Sequence, residues 1–91
     1  MSEKQMKDEL ISLIDLNKET WIKAAFFSDE TVEKIMEILY SRWEANNEEG
    51  IPLDYAYKEE LEILLNIARK YVKLSPDEAR SIVIKRIYSE K

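Results

Sequence analysis

Val32, Ile35, Met36, Leu39 and Trp43 recur at i, i+3, i+4, i+7 and i+11. Only a period near 3.6 residues places that set on one face, so this stretch is an amphipathic helix with a single apolar stripe. Similar spacing returns along the rest of the chain. One glycine and two prolines in 91 residues leave little to interrupt it. No stretch alternates apolar and polar residues between turn signals, as a half-buried strand would. The expected fold is all-α.

Four helical segments follow from the pattern. Residues 3–26 read as the first, with Met6, Leu10, Leu13 and Ile14 in register and Trp21 and Ala25 extending the line. Asn17 falls on that line and marks a kink, an interruption or a fresh N-cap. Ser28 reads as the N-cap of the second helix, with Asp29 and Glu30 at the positive end of its dipole. Residues 46–54 form the one real loop, where Gly50 supplies conformational freedom and Pro52 holds Ile51 extended. Asp54 is the expected N-cap of a third helix over 55–73. That helix carries one stripe of Tyr57, Leu61, Leu64, Leu65, Ala68 and Val72, and a second of Ile63, Ile67, Tyr71 and Leu74. Ser75-Pro76-Asp77-Glu78 spells a capping box with proline at N1, opening the fourth helix. Ala79, Ile82, Val83 and Ile87 read as its inward face, with Ile84 and Tyr88 off that line. Short connections imply antiparallel neighbours. The expected architecture is a compact four-helix antiparallel bundle in one domain, residues 1–91, as two helical hairpins joined by the 46–54 loop.

The residues that are absent exclude much chemistry. There is no cysteine and no histidine, which removes thiolate nucleophiles, the usual base for a serine nucleophile, and the common zinc ligands. Glu59, Glu60 and Glu62 cluster at a helix start, which ordinarily makes a solvated face. A chain with one glycine has no room for a phosphate-cradling loop or a dinucleotide fingerprint. No catalytic residue, metal or cofactor is expected, and the chain reads as a non-enzyme. Its apolar runs are too short to span a bilayer, and 1–5 lacks the apolar core of a signal peptide, so a soluble cytoplasmic protein is expected. Eleven isoleucines, dense Glu and Lys, and few labile residues suggest a thermophilic source.

Three surfaces stand out as candidates for binding. Helices three and four carry more apolar surface than one core face requires, which makes Ile63, Ile67, Tyr71, Ile84 and Tyr88 candidates for contact with a partner chain or a second copy. Packing against the first helix would account for them equally well. Around the loop, Trp43, Ile51, Leu53, Tyr55 and Tyr57 form an aromatic-rich cluster. Tyr55 and Tyr57 are about 200° apart on a helix, so one core does not take both. The alternative is that this cluster plugs the end of the bundle. The third surface is basic. Net charge is −5, yet residues 69–91 hold seven Lys/Arg against three Asp/Glu. Arg69, Lys70, Lys73, Arg80, Lys85, Arg86 and Lys91 are candidates for contact with phosphates, or else ordinary surface charge. The turn at Leu74-Ser75-Pro76 lacks glycine, and the last helix starts with acids where a DNA-reading helix usually places its base contacts.

In size, in its Met1-Ser2-Glu3-Lys4 start, in its Ile/Glu/Lys bias and in helical content, the chain resembles small helical accessory subunits of crenarchaeal family-B DNA polymerase holoenzymes. That resemblance implies an archaeal adaptor that binds a DNA polymerase in replication, with nucleic acid nearby but contacted indirectly. It carries over no binding residue. Two other readings stay open. One is a viral, plasmid or archaeal DNA-binding regulator using Arg80, Lys85 and Arg86. The other is an acidic inhibitor or immunity-type protein presenting Asp29, Glu30, Glu33 and Glu37 to a basic target.

Overall fold

A computed structural model describes residues 1–89, so Lys91 of the basic set lies outside the described residues. Helix α1 (Glu3–Leu10) opens with a capping box. The Ser2 hydroxyl accepts from the Gln5 amide at 3.1 Å, and the Gln5 side chain accepts from the Ser2 amide at 2.9 Å. The chain then widens into a π-helical turn, Ile11–Asp15, closed by Leu16 N–H donating to the Ile11 carbonyl. Here the helix stops. The Asn17 side chain donates to the Leu13 carbonyl at 3.0 Å and accepts from the Glu19 amide at 2.8 Å. It thereby satisfies backbone groups on both sides of the break. The interruption at Asn17 is real, and the span 3–26 is two helices. The second, α2, is Thr20–Ser28.

Helix α3 (Glu30–Ala45) follows after a single residue. Its N-cap is Asp29, whose Oδ1 accepts from the Thr31 and Val32 amides at 2.9 and 3.2 Å. Ser28, the cap expected from sequence, ends α2 instead, and its hydroxyl donates back to the Ala25 carbonyl. Aspartate wins because a charged acceptor suits the positive helix end better than a hydroxyl. At the other end α3 closes in a Schellman motif. Glu48 N–H donates to the Trp43 carbonyl, Asn47 N–H to that of Glu44, and Asn47 sits at φ 60°.

A 3-10 turn, Pro52–Tyr55, precedes α4 (Lys58–Tyr71). Helix α4 starts later than the sequence suggested. Asp54 caps the 3-10 turn, not the helix, by accepting from the Ile51 amide at 3.0 Å. Glu60 then reaches back to the Tyr57 amide at 2.8 Å to open α4. Helix α5 (Pro76–Ser89) opens on the expected capping box. Ser75 Oγ accepts from the Glu78 amide, and the Glu78 carboxylate accepts from the Ser75 amide. The Ser75 amide, and after it the Ser75 side chain, hold the Glu78 carboxyl below the usual range.

The described residues thus form an all-α fold of five helices, and the helices do not pair as two sequential hairpins. Helix α5 lies mainly along α2, and α1 lies mainly along α4. The break at Asn17 is the cause, because it lets α2 leave the line of α1 and present its own face to α5. Ala25, Ala68 and Ala79, on α2, α4 and α5, are fully buried, as are Val32 and Leu39 on α3. Each buried large side chain contributes about 1.5–3 kcal/mol relative to exposure. Ile87, expected to point inward, is exposed, and of the Tyr55–Tyr57 pair Tyr57 is the exposed one, while Tyr71, expected as a surface anchor, is 1 % exposed. Among the described residues no helix is long and apolar enough to cross a membrane.

A candidate protein-docking groove

An apolar hollow forms where the π-helical turn, the end of α2, α3 and the 51–53 segment converge. Buried Leu10, Ile14, Phe26 and Leu64 make its floor. Phe27, Tyr40 and Ile51 form its rim, each 40–49 % exposed, with Met36, Pro52 and Leu53 between. Ile11 and Asp15 complete the lining, and the cavity volume is about 190 Å³. The local sequence explains the two-level build. Adjacent Phe26 and Phe27 point about 100° apart on α2, so one enters the core and the other stands at the edge. Their rings meet edge to face at 5.1 Å.

A shallower hollow continues from the same wall. It shares Phe27, Met36 and Tyr40 and adds Glu33 and Glu37. Glu33, Met36, Glu37 and Tyr40 are spaced i, i+3, i+4 and i+7, so α3 presents alternating acidic and apolar residues along one line. No cation pairs with the side chains of Asp15, Glu33 or Glu37 among the described residues. The other two acids of this region are spoken for. Glu30 pairs with Lys34 at 3.2 Å, and Asp29 turns inward to accept from the Tyr71 hydroxyl.

The loop side of the groove is pinned. Trp43 Nε1 donates to the Gly50 carbonyl at 3.0 Å, and the Trp43 ring meets Tyr40 edge-on at 6.1 Å. The Tyr55 hydroxyl donates to the Glu49 carbonyl at 2.7 Å. Lys7 donates to Asp54 at 2.6 Å, and this bond, with the Ile51 amide, holds the Asp54 carboxyl below its usual range. Arg42 donates to the Tyr55 carbonyl and, in a fork, to both oxygens of Glu60 at 2.6 and 3.1 Å. The Arg42 hydrogen bond is likewise the main reason Glu60 sits low. A wall held by this many bonds needs little ordering when something docks on it.

The aromatic cluster foreseen from sequence is therefore partly a binding rim and partly scaffolding. Ile51 and Leu53 line the groove, and Trp43 braces it. Tyr55 is half-buried with its hydroxyl engaged, and exposed Tyr57 lies under the Arg42 guanidinium at 4.0 Å from its ring centre. The apolar set on the last two helices divides differently. Ile63 and Tyr88 are exposed, Ile84 is half-buried, and Ile67 packs on the core. Tyr71 is a correction, being a core residue. Its hydroxyl donates to Asp29 at 2.6 Å and accepts from Arg86.

Arg86 is the matching correction among the basic residues. It turns inward, donating to the Ala25 carbonyl and to Ser28 Oγ, both at 2.7 Å, and is not presented to phosphates. Arg69 pairs with Glu9, Lys70 lies 5.6 Å from the Tyr71 ring centre, and Arg80 lies 5.8 Å from that of Trp21. Lys73 and Lys85 are exposed and make no ion pair among the described residues. The basic end is thus less of a phosphate-binding stripe than its composition suggested.

Sequence reasoning missed most of the groove, including Phe27, Met36 and Tyr40. The Phe26-Phe27 doublet was the available signal, since adjacent side chains on a helix point about 100° apart and a second large ring needs cover from another side. Among the described residues, no three acidic side chains converge as a metal site. Comparisons with protein-family models, curated proteins and solved structures find no match to this chain.

Proposed function

We propose that this chain is a non-enzymatic helical adaptor, acting in the cytoplasm, that docks on a larger protein through the groove bordered by Phe27, Tyr40 and Ile51. The observation that carries this reading is the groove itself. It is a preformed apolar hollow with an aromatic rim, beside carboxylates that no cation among the described residues pairs with. Apolar anchors in such a pocket supply affinity, and rim charge sets orientation and encounter rate. The chain's lack of histidine and cysteine supports a binding role over catalysis. The resemblance to polymerase-binding accessory subunits makes a family-B DNA polymerase holoenzyme the first partner to test. The inward turn of Arg86 and the Glu9 pairing of Arg69 weigh against direct DNA recognition.

The test is a photo-crosslinking amino acid at Tyr40, with Lys73 as the control position, in the full chain mixed with a crenarchaeal family-B polymerase holoenzyme. The expected result is an adduct to a polymerase subunit from position 40 and none from position 73. Equal adducts from both positions, or none from either, would remove the groove as the docking site for this partner.

A further inference from the structure

The groove and its unpaired acids together describe what should sit there. A hollow of about 190 Å³ is close to the ~150 Å³ apolar cavity that accommodates benzene in a protein interior. It takes one large apolar side chain, not a whole helix face. Glu33 and Glu37 flank the same Met36–Tyr40 wall, and Asp15 lies in the lining. A second copy docked groove to groove is a poor occupant, because it would bring its own Glu33 and Glu37 to the same place, and the net charge of −5 opposes self-association at long range.

We infer that the groove receives a basic segment of a partner protein, in which one phenylalanine or leucine fills the hollow and neighbouring lysines or arginines pair with Glu33 and Glu37. This rests on the docking role proposed above and adds the chemistry of the partner. The apolar side chain displaces water from the floor of Leu10, Ile14, Phe26 and Leu64. The flanking cations find carboxylates that already stand at the rim without a competing cation among the described residues. Steering by those carboxylates makes association faster at low salt than at high salt. Lysine next to an apolar anchor is the selective feature, and a basic segment lacking the anchor gains only weak, screened attraction.

The probe is a short alanine-based peptide carrying one phenylalanine between lysines, titrated into the full chain and followed by two-dimensional NMR. Two control peptides replace the phenylalanine with alanine, or the lysines with glutamates. Resonances of Phe27, Met36, Tyr40 and Ile51 should shift with the parent peptide, and each control should bind at least about tenfold more weakly. In the double variant Glu33→Lys/Glu37→Lys the preference should invert, favouring the glutamate peptide. Both positions are exposed, and a circular dichroism spectrum and melting curve confirm that the variant folds. Shifts centred outside the groove, equal binding of the phenylalanine and alanine peptides, or no inversion in the double variant would overturn the inference. So would sedimentation as a dimer that closes the groove without peptide. If Tyr40 crosslinks to a partner whose contacting segment is not basic, docking stands and this assignment of the occupant fails.

Discussion

The Tyr71 hydroxyl donates to the Asp29 carboxylate at 2.6 Å, joining the end of α4 to the one-residue corner between α2 and α3. Arg86 of α5 closes the arrangement by donating to the same hydroxyl and to the end of α2. Four helices meet at one polar knot, and every buried polar side-chain atom among the described residues has a partner. Such a knot specifies one packing, because any slip of α5 on α2 strands a charge.

Tyr71→Phe keeps the ring and removes the hydroxyl, so Asp29 and Arg86 each lose a partner. The expected cost is about 1–3 kcal/mol, read from urea denaturation. A loss within experimental error would mean that water replaces the hydroxyl freely.

Acid should unfold this protein through a few carboxylates. Burial alone would raise the Asp29 carboxyl, but the Tyr71 hydroxyl, the Val32 and Thr31 amides and the Arg86 charge together bring it below its ordinary value. Asp54 and Glu60 are lowered as well, through Lys7 and Arg42. A carboxyl with a depressed folded pKa stabilises fully above its unfolded pKa, about 4. That contribution is lost as pH falls through the folded value. Melting temperature should therefore drop below about pH 4 and hold nearly level from neutrality down to pH 6, with no histidine to titrate. Asp29→Asn should flatten the acid limb; an unchanged limb would show that the Asp29 contacts contribute nothing.

Neighbouring residues on α3 should differ sharply. Leu39 is fully buried and Ile38 is 47 % exposed. Leu39→Ala should cost about 2–5 kcal/mol, and Ile38→Ala should stay within about 0.5 kcal/mol. Similar losses at both sites in denaturant melts would contradict this packing of α3.

Gly50 has φ +71°, and a Cβ there would stand 2.5 Å from the Asp54 carboxylate. Gly50→Ala should destabilise by about 1 kcal/mol and loosen the Lys7–Asp54 contact. Hydrogen exchange at the Ile51 amide, which donates to Asp54, should quicken. Exchange at the wild-type rate would show that the loop absorbs the methyl group without moving.

The apolar spacing by itself determined that this chain is helical, where most helices lie, and that a serine–glutamate box opens α5. These are local matters, set by a 3.6-residue period and by hydrogen bonds three residues apart. Asn17 was legible as a kink, an interruption or a fresh N-cap, and the structure makes it the interruption. Tertiary structure decided the rest. Whether Tyr71 and Arg86 face solvent or the interior depends on partners 42 to 61 residues away. The groove was the least legible feature, since its floor and rim come from α1, the π-helical turn, α2, α3, the 51–53 segment and α4. No single segment shows such a hollow, because a helix pattern records which side chains are apolar, while only the meeting of helices leaves one of them uncovered.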